Sequence, residues 1–552
     1  DQSIGVDIER ELNFANSKIK VDVGTEDPRQ SVTSTTGYNG LENSGHIAST
    51  GYSDQHTDNA IGMYINLAST FTLDDYEIKL GEYSQKGIGV RIENGHLTLG
   101  SNMLDTTTKH SLISDGGIGN ILIAGIGSSS SVTTDANTIL EVKNGKSQVG
   151  VYANTASSII NAGTLNASGE GTKGIVVDTA STITNSGVIN VSGGVYTDSS
   201  NNKSGSVGVA VKDAGSKFTS AGVGSNVTVD VSGKESTGLF ADTGVIDITN
   251  GTIKTSDGAF NLYAKGSTGK IKLTNVNMET GQRSLLFYNE NGGTFELNNV
   301  NATIKGAANA NDRGTAFYYV GTGVLPTLTT ADLSAYFASV FNNTANNLTL
   351  NMETGSRLFI VDNVSIDLSV TATPLGSIAG GPTVTGSSDY KTYMMYKSLL
   401  GIDQNISLDT ASDAYNNLEI VTSSIYNNGY NITGSLTNQV AMGQENGLDT
   451  LGVSLPRSTV SLTNDGGNIT LSGASSVGMY ANYGELRNMN SGVINVSGAG
   501  SIGMYGANGT LADNQTGSVI NISSSGVGIY AEGNKQGIAQ TFGNGKIDIV
   551  NS

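Results

Sequence analysis

A chain of 552 residues with 74 glycines, no cysteine, no tryptophan and a net charge of −19 excludes several classes at once. Disulfide frameworks, thiol chemistry and thiolate metal sites all need cysteine, and an acidic field opposes nucleic acid and anionic lipid surfaces. With 37% hydrophobic residues the composition is too apolar for disorder and too glycine-rich for a helical protein, so an all-β solenoid or propeller fits best.

Residues 1–59 read as an irregular N-terminal edge, in which GTEDPRQSVTSTTG has the composition of an exposed loop. Asp1 to Asp7 shows no basic segment followed by an apolar stretch, so no signal peptide is expected there. Nowhere does an apolar run reach the roughly 18 residues of a membrane helix. The closing KIDIVNS stops inside a strand-like pattern, which points to a piece of a longer protein, and a cysteine-free chain suits passage across a membrane unfolded.

From residue 60 to 324, and again from 457 to 552, two short motifs alternate. The first is a glycine followed by an aliphatic residue, an aromatic residue and alanine: Gly150 to Ala153, Gly478 to Ala481, Gly503 to Gly506 and Gly528 to Ala531. Degenerate copies include Gly238 to Ala241, Asn261 to Ala264 and Leu285 to Tyr288. The second is Asn-x-Gly-x-aliphatic-Asn-aliphatic-Ser-Gly, at Asn161 to Gly169, Asn185 to Gly193 and Asn490 to Gly498. Most spacings between first motifs are 23 to 25 residues, the length of a unit of two or three short strands. One longer gap holds the polar string YTDSSNNKS, expected as a loop pushed out of a rung.

Alternation assigns the faces. In the first motif Val149, Val151 and Ala153, with Val477, Met479 and Ala481, are aliphatic and are expected inside, leaving Gly150 and Tyr152 outside. In the second motif Ile189 and Val191, or Ile494 and Val496, are expected inside and Asn190 and Asn495 outside. Strands stacked in register one rung apart give a right-handed parallel β-helix. A propeller needs about 40 residues per blade and fits less well. Asn-Gly pairs at Asn94, Asn144, Asn250, Asn291, Asn428, Asn508 and Asn544 read as corners, because such turns require positive φ.

The repeat fades from 325 to 456, expected as a small mixed α/β insert packed on the solenoid. Ala331 to Asn343 puts Leu333, Tyr336, Phe337, Val340 and Phe341 on one helical face, with Asp332 in the first turn. Tyr390 to Leu400 reads as a second helical stripe. Leu348 to Met352 and Val364 to Leu368 read as strands.

The residues offer little chemistry. His46, His56, His96 and His110 form no zinc-type pair, and neither a GxSxG nor a GDSG nucleophile motif occurs. The best carboxylate cluster, Asp74, Asp75 and Glu77, sits on one short stretch, whereas glycosidases place two acids on opposite sides of the scissile bond. Neither catalysis nor a cofactor or metal is expected. One surface feature stands out: outward Tyr152, Tyr480, Tyr505 and Tyr530 would form an external column continued by Phe240, Tyr263 and Phe287. Such stacked rings stabilise a sheet by themselves; alternatively they form a platform for sugar rings or a partner protein.

Together with these rungs, the strings TAFYYVGTGVLPTLTTADLSAYF (315–337), SRLFIVDNV (356–364), DYKTYMMYKSLL (389–400), DAYNNLEI (413–420) and ENGLDTLGVSLPRSTVSLTN (445–464) carry a resemblance over most of the chain. It resembles the passenger domains of large fusobacterial type Va autotransporter adhesins, of the arginine-inhibitable or galactose-sensitive type. The resemblance implies a cell-surface, monomeric passenger segment, anchored in the outer membrane through a C-terminal β-barrel that lies outside it. It also implies attachment to other bacteria, host glycans, or immune and epithelial receptors. It transfers no binding residue. Two other readings stay open from the residues: a secreted polysaccharide-active β-helix enzyme, and a spacer stalk whose binding tip lies elsewhere.

Overall fold

The computed structural model describes residues 4–8, 19–23, 57–73, 76–100, 111–221, 226–410, 413–444, 460–482, 484–507, 510–523, 525–532 and 546–550. Most of the expected N-terminal edge, the string 445–459, His46, His56, His110, Asp74, Asp75, Asn508 and Asn544 lie outside the described residues. The chain is 60% strand and 6% helix, an all-β parallel β-helix. It divides into two compact units, one of residues 1–314, 337–351 and 382–386, the other of 315–336, 352–381 and 387–552.

In the first unit the strands of the rungs pair in parallel with those one rung away, and three faces result. The first face runs through Val149–Asn154, Lys173–Val177, Val207–Lys212, Thr237–Asp242, Phe260–Lys265 and Leu285–Glu290. A second face runs through Ser130–Thr134, Ser158–Asn161, Thr182–Asn185, Lys217–Ser220 and the start of Val245–Ser256. The third runs through Ile139–Lys146, Thr164–Glu170, Val188–Ser192, Val227–Ser232 and the end of Val245–Ser256.

The interior is filled by columns of register partners. On the first face Val151, Ile175, Val209, Leu239, Leu262 and Phe287 follow one another, none more than 1% exposed. Each such side chain contributes roughly 1.5–3 kcal/mol by burial. Ile189, Val191, Ile494 and Val496 are buried as expected, while Asn190 and Asn495 lie on the outside, half-buried.

The expected parity of the first motif fails at its start. Val149 and Val477 face outward, half-buried, and Val527 is exposed. Gly150 faces inward: a Cβ there would lie 2.6 Å from Leu165 Cδ1 and 2.8 Å from the Gly174 carbonyl oxygen. The ladder passes from Val149–Lys173 to Val151–Ile175, so two successive residues turn to the core and only hydrogen fits at the first. Gly478 is equally constrained, with Ile494 Cγ2 at 2.7 Å from such a Cβ.

Corners are made by residues in the left-handed region. Asn250, Asn275 and Asn299, at φ 60°, 53° and 52°, each turn a long strand from the second face to the third, and their amides stack, Asn275 on Asn250 at 3.2 Å and Asn299 on Asn275 at 2.8 Å. Asn144 and Asn291 also have positive φ, whereas at Asn94 and Asn428 the following glycine takes it. The string YTDSSNNKS forms a two-stranded antiparallel hairpin, its turn tied by the Asp198 carboxylate accepting from the backbone of Ser200 and Asn202.

The second unit keeps the parallel ladder through the span where the repeat fades. Thr315–Val320, Arg357–Asp362, Lys391–Tyr396 and Leu418–Val421 stack on one face. A second stack, Ser365–Asp367, Leu399–Ile402, Ser424–Asn428, Ser461–Asp465, Glu485–Met489 and Leu511–Asn514, carries a buried amide ladder. Asn427 donates to Asn464, Asn464 to Asn488 and Asn488 to Asn514, at 2.7 to 2.8 Å, and each of the four is at most 2% exposed.

The helix expected at 331–343 is present as Thr330–Val340, and its stripe of Leu333, Tyr336, Phe337, Val340 and Phe341 is buried. Its start is closed reciprocally, the Asp332 carboxylate accepting from the Thr329 backbone at 2.8 Å and the Asp332 N–H donating to the Thr329 hydroxyl at 3.2 Å. Leu348–Met352 is a strand as expected; of 364–368, only Ser365–Asp367 is. The second helix expected at 390–400 is not formed: Lys391–Tyr396 and Leu399–Ile402 are strands meeting at Lys397, φ 48°. Tyr393 and Met395 alternate inward there, and alternation prevailed over the helical spacing because each rung offers a ready ladder.

Candidate functional site

The first face turns aromatic rings outward along the stack. In the first unit the outward register runs Tyr152, Val176, Ala210, Phe240, Tyr263, Tyr288. Val176, Val207 and Ala210 form a buried apolar cluster on this side of the sheet, against which Val149, Tyr152 and Phe240 pack. Ring centroids are 4.7 Å apart for Phe240 and Tyr263 and 4.9 Å for Tyr263 and Tyr288, the latter edge-on. Phe260, one lane over, closes on Tyr288 at 5.4 Å. In the second unit Tyr480, Tyr505 and Tyr530 are register partners, with centroids 5.3 and 5.1 Å apart, both edge-on.

Of the seven candidates, six lie on this outer surface and one does not. Phe287 is 1% exposed and meets Phe295 and Phe341 edge-on at 5.1 and 5.0 Å. It continues the interior column after Leu262, and Tyr288 takes the outward place after Tyr263. The motif copy there has no glycine to anchor its register, and its first position falls at Leu286, one residue later than expected. Tyr288 and Phe260 are therefore additions that alternation alone did not reveal.

A charged lane runs beside the rings, with Lys212, Asp242, Lys265 and Glu290 as successive partners. The Tyr263 hydroxyl donates to Glu290, and burial, that hydrogen bond and the Glu290 charge push its titration well above the usual tyrosine range. Tyr152 is raised chiefly by burial. The Tyr505 hydroxyl donates to Glu532, which together with partial burial and the carboxylate charge raises its pKa from 10.0 to about 12. Such phenols stay protonated at neutral pH, with ring faces and edges available for apolar contact or for stacking on sugar rings.

The remaining candidates for chemistry are dispersed. His96 Nδ1 meets the Ser131 hydroxyl on the exposed surface. Tyr76, beside the expected carboxylate cluster, is buried, and burial raises its pKa to about 12. Among the described residues no three His, Asp or Glu side chains are placed to hold a metal ion, and no helix is long and apolar enough to cross a membrane.

Fold and surface define a parallel β-helical repeat protein with an outward aromatic lane. Compared with known families, characterised proteins and solved structures, the chain has no match.

Proposed function

We propose that this chain is a passenger segment of a bacterial surface adhesin, which attaches to other bacteria or to host receptors and glycans through shape and surface chemistry without catalysis. The observation that supports this reading is the outward aromatic lane. Clustered rings on the outside of a solenoid, where polar residues would suffice, mark an interaction surface, and in the second unit's own column Tyr530 is 42% exposed. The export route and outer-membrane anchorage belong to the same proposal and rest on the family resemblance.

The test is a binding assay of the whole chain against partner bacteria, epithelial cells and lymphocytes, with free arginine and free galactose as competitors. Saturable binding to at least one of these supports adhesion. Absence of binding to all of them favours a spacer, and release of products from a glycan substrate would replace adhesion by catalysis.

A further inference from the structure

A second surface of the first unit has a different chemistry. On its third face two shallow depressions, of about 300 and 310 Å³, lie along the stack. One is lined by Thr252, Lys254, Asn277, Glu279, Asn301 and Thr349. The other is lined by Glu141, Asn166, Ser168, Asn190, Asp230 and Ser232. Asp230 of one and Lys254 of the other are register partners, so the two abut. Glu141, Asn166, Asn190, Asp230, Lys254, Glu279 and Thr303 form one unbroken outward lane, one residue per rung.

We propose that this trough binds a linear glycan whose sugars carry hydroxyl or acetamido groups, lying along the stack. Rungs repeat at about 4.8 Å, close to the length of one sugar in an extended chain, so each sugar meets the polar side chain of a new rung. Asn190 Nδ2 donates to Asn166 Oδ1 at 2.8 Å, and Asn301 Nδ2 to Asn277 Oδ1 at 3.5 Å. A side-chain amide has two N–H donors and two acceptor lone pairs. Each ladder bond uses one donor and one acceptor, and the others remain for a ligand that both donates and accepts.

The same residues select against other occupants. Glu141, Asp230 and Glu279 outnumber Lys143 and Lys254 in the trough, which disfavours polyanions. Neither depression is lined by an aromatic side chain, and the backbone is already paired on both sides within the sheet, so an extended peptide finds no edge to join. The proposal does not depend on the aromatic lane.

The test measures binding of the whole chain to chitohexaose, which carries acetamido groups, and to cellohexaose, which carries only hydroxyls, by isothermal titration calorimetry. Chitobiose and a heparin hexasaccharide serve as short and polyanionic controls. The expected result is saturable binding of at least one neutral hexasaccharide, at least tenfold tighter than chitobiose and than heparin. The double variant Ser192→Phe/Ser232→Phe, at two register partners that line the trough, fills it and should weaken binding at least tenfold. Should that variant not fold, as judged by circular dichroism, Asn166→Ala/Asn190→Ala, which removes amides without adding bulk, is expected to do the same. Tyr505→Ser/Tyr530→Ser, in the other surface, separates trough binding from binding by the aromatic rings. Absence of binding to both hexasaccharides overturns the proposal. So does binding that both trough variants retain, or binding lost only in the tyrosine variant, which would assign it to the aromatic lane.

Discussion

The Tyr505 hydroxyl donates to Glu532 Oε1 at 2.8 Å, and this carboxylate stands two residues beyond Tyr530, the register partner of Tyr505 on the next rung. Among the described residues the same diagonal recurs four times, one of them Tyr426 donating to Asp465 with Thr463 as register partner. Tyr64 donates to Glu93 at 2.7 Å with Arg91 as register partner, and Tyr318 donates to Asp362 at 2.8 Å with Ile360 as partner. Tyr263 donates to Glu290 with Tyr288 as partner. An outward tyrosine followed diagonally by an acid is thus a repeated device that fixes the phenol while leaving the ring on the surface.

Removing the Glu532 charge tests that device. Tyr505 titrates at about 12, raised first by the hydrogen bond to Glu532, then by burial and by the charge of that carboxylate. A folded pKa above the unfolded value gives stability that is present below about pH 10 and is lost as pH rises through about 12. In Glu532→Gln the charge is absent, so an ultraviolet pH titration should show one tyrosine moving down toward 10. An unchanged titration curve would show that the hydrogen bond is not formed.

Adjacent residues of one motif copy should respond unequally to truncation. Phe287→Ala empties an interior site flanked by Phe295 and Phe341 and should cost about 3–5 kcal/mol. Tyr288→Ala removes an outward ring and should cost less than half of that. Denaturant unfolding of the two variants distinguishes this from the opposite order, which would place Phe287 on the surface.

The amide ladder of the second unit should be intolerant of interruption. Asn488 accepts from Asn464 and donates to Asn514 in a region where all three are at most 2% exposed. Asn488→Ala leaves two buried partners without it, at about 1–3 kcal/mol for each. The loss should appear as faster amide hydrogen exchange in the rungs at 461–465 and 511–514, with the first unit unaffected.

Asp409 gives the second unit an acid-side dependence. Its carboxylate accepts from the Ser435 hydroxyl and backbone, from Gln439 Nε2 and from the Leu436 backbone, at 2.6 to 3.2 Å. These bonds, the Ser435 hydroxyl first, lower its pKa from 3.8 to about 2. A depressed pKa contributes stability that is present above about pH 4 and lost as pH falls toward 2. Asp409→Asn should lower stability at pH 7 and flatten the dependence between pH 4 and 2, as followed by denaturation midpoints.

Much of this was legible from alternation. Ile189, Val191, Ile494 and Val496 were placed inside because a half-buried strand repeats every second residue, and the helix at 330–340 because its apolar stripe repeats at helical spacing. Gly150 was misplaced because two successive residues turn inward there, which no strict period of two describes. The segment 390–400 satisfies both periods, and only the corner at Lys397 decides between them. The six outward aromatic candidates followed from motif copies anchored by neighbouring residues, whereas the Leu285 to Tyr288 copy had no such anchor. The polar trough was invisible for another reason: its members come from rungs up to 210 residues apart, from Glu141 to Asn351, and each alone is an ordinary surface residue.

The most direct test of the adhesive role is binding of the whole chain to a target cell found in the competition assay, compared with Phe240→Ser/Tyr263→Ser/Tyr288→Ser in the first unit and Tyr480→Ser/Tyr505→Ser/Tyr530→Ser in the second. With unchanged circular dichroism, at least one set should reduce binding tenfold or more. Undiminished binding by both folded variants would contradict an adhesive role for the aromatic lane.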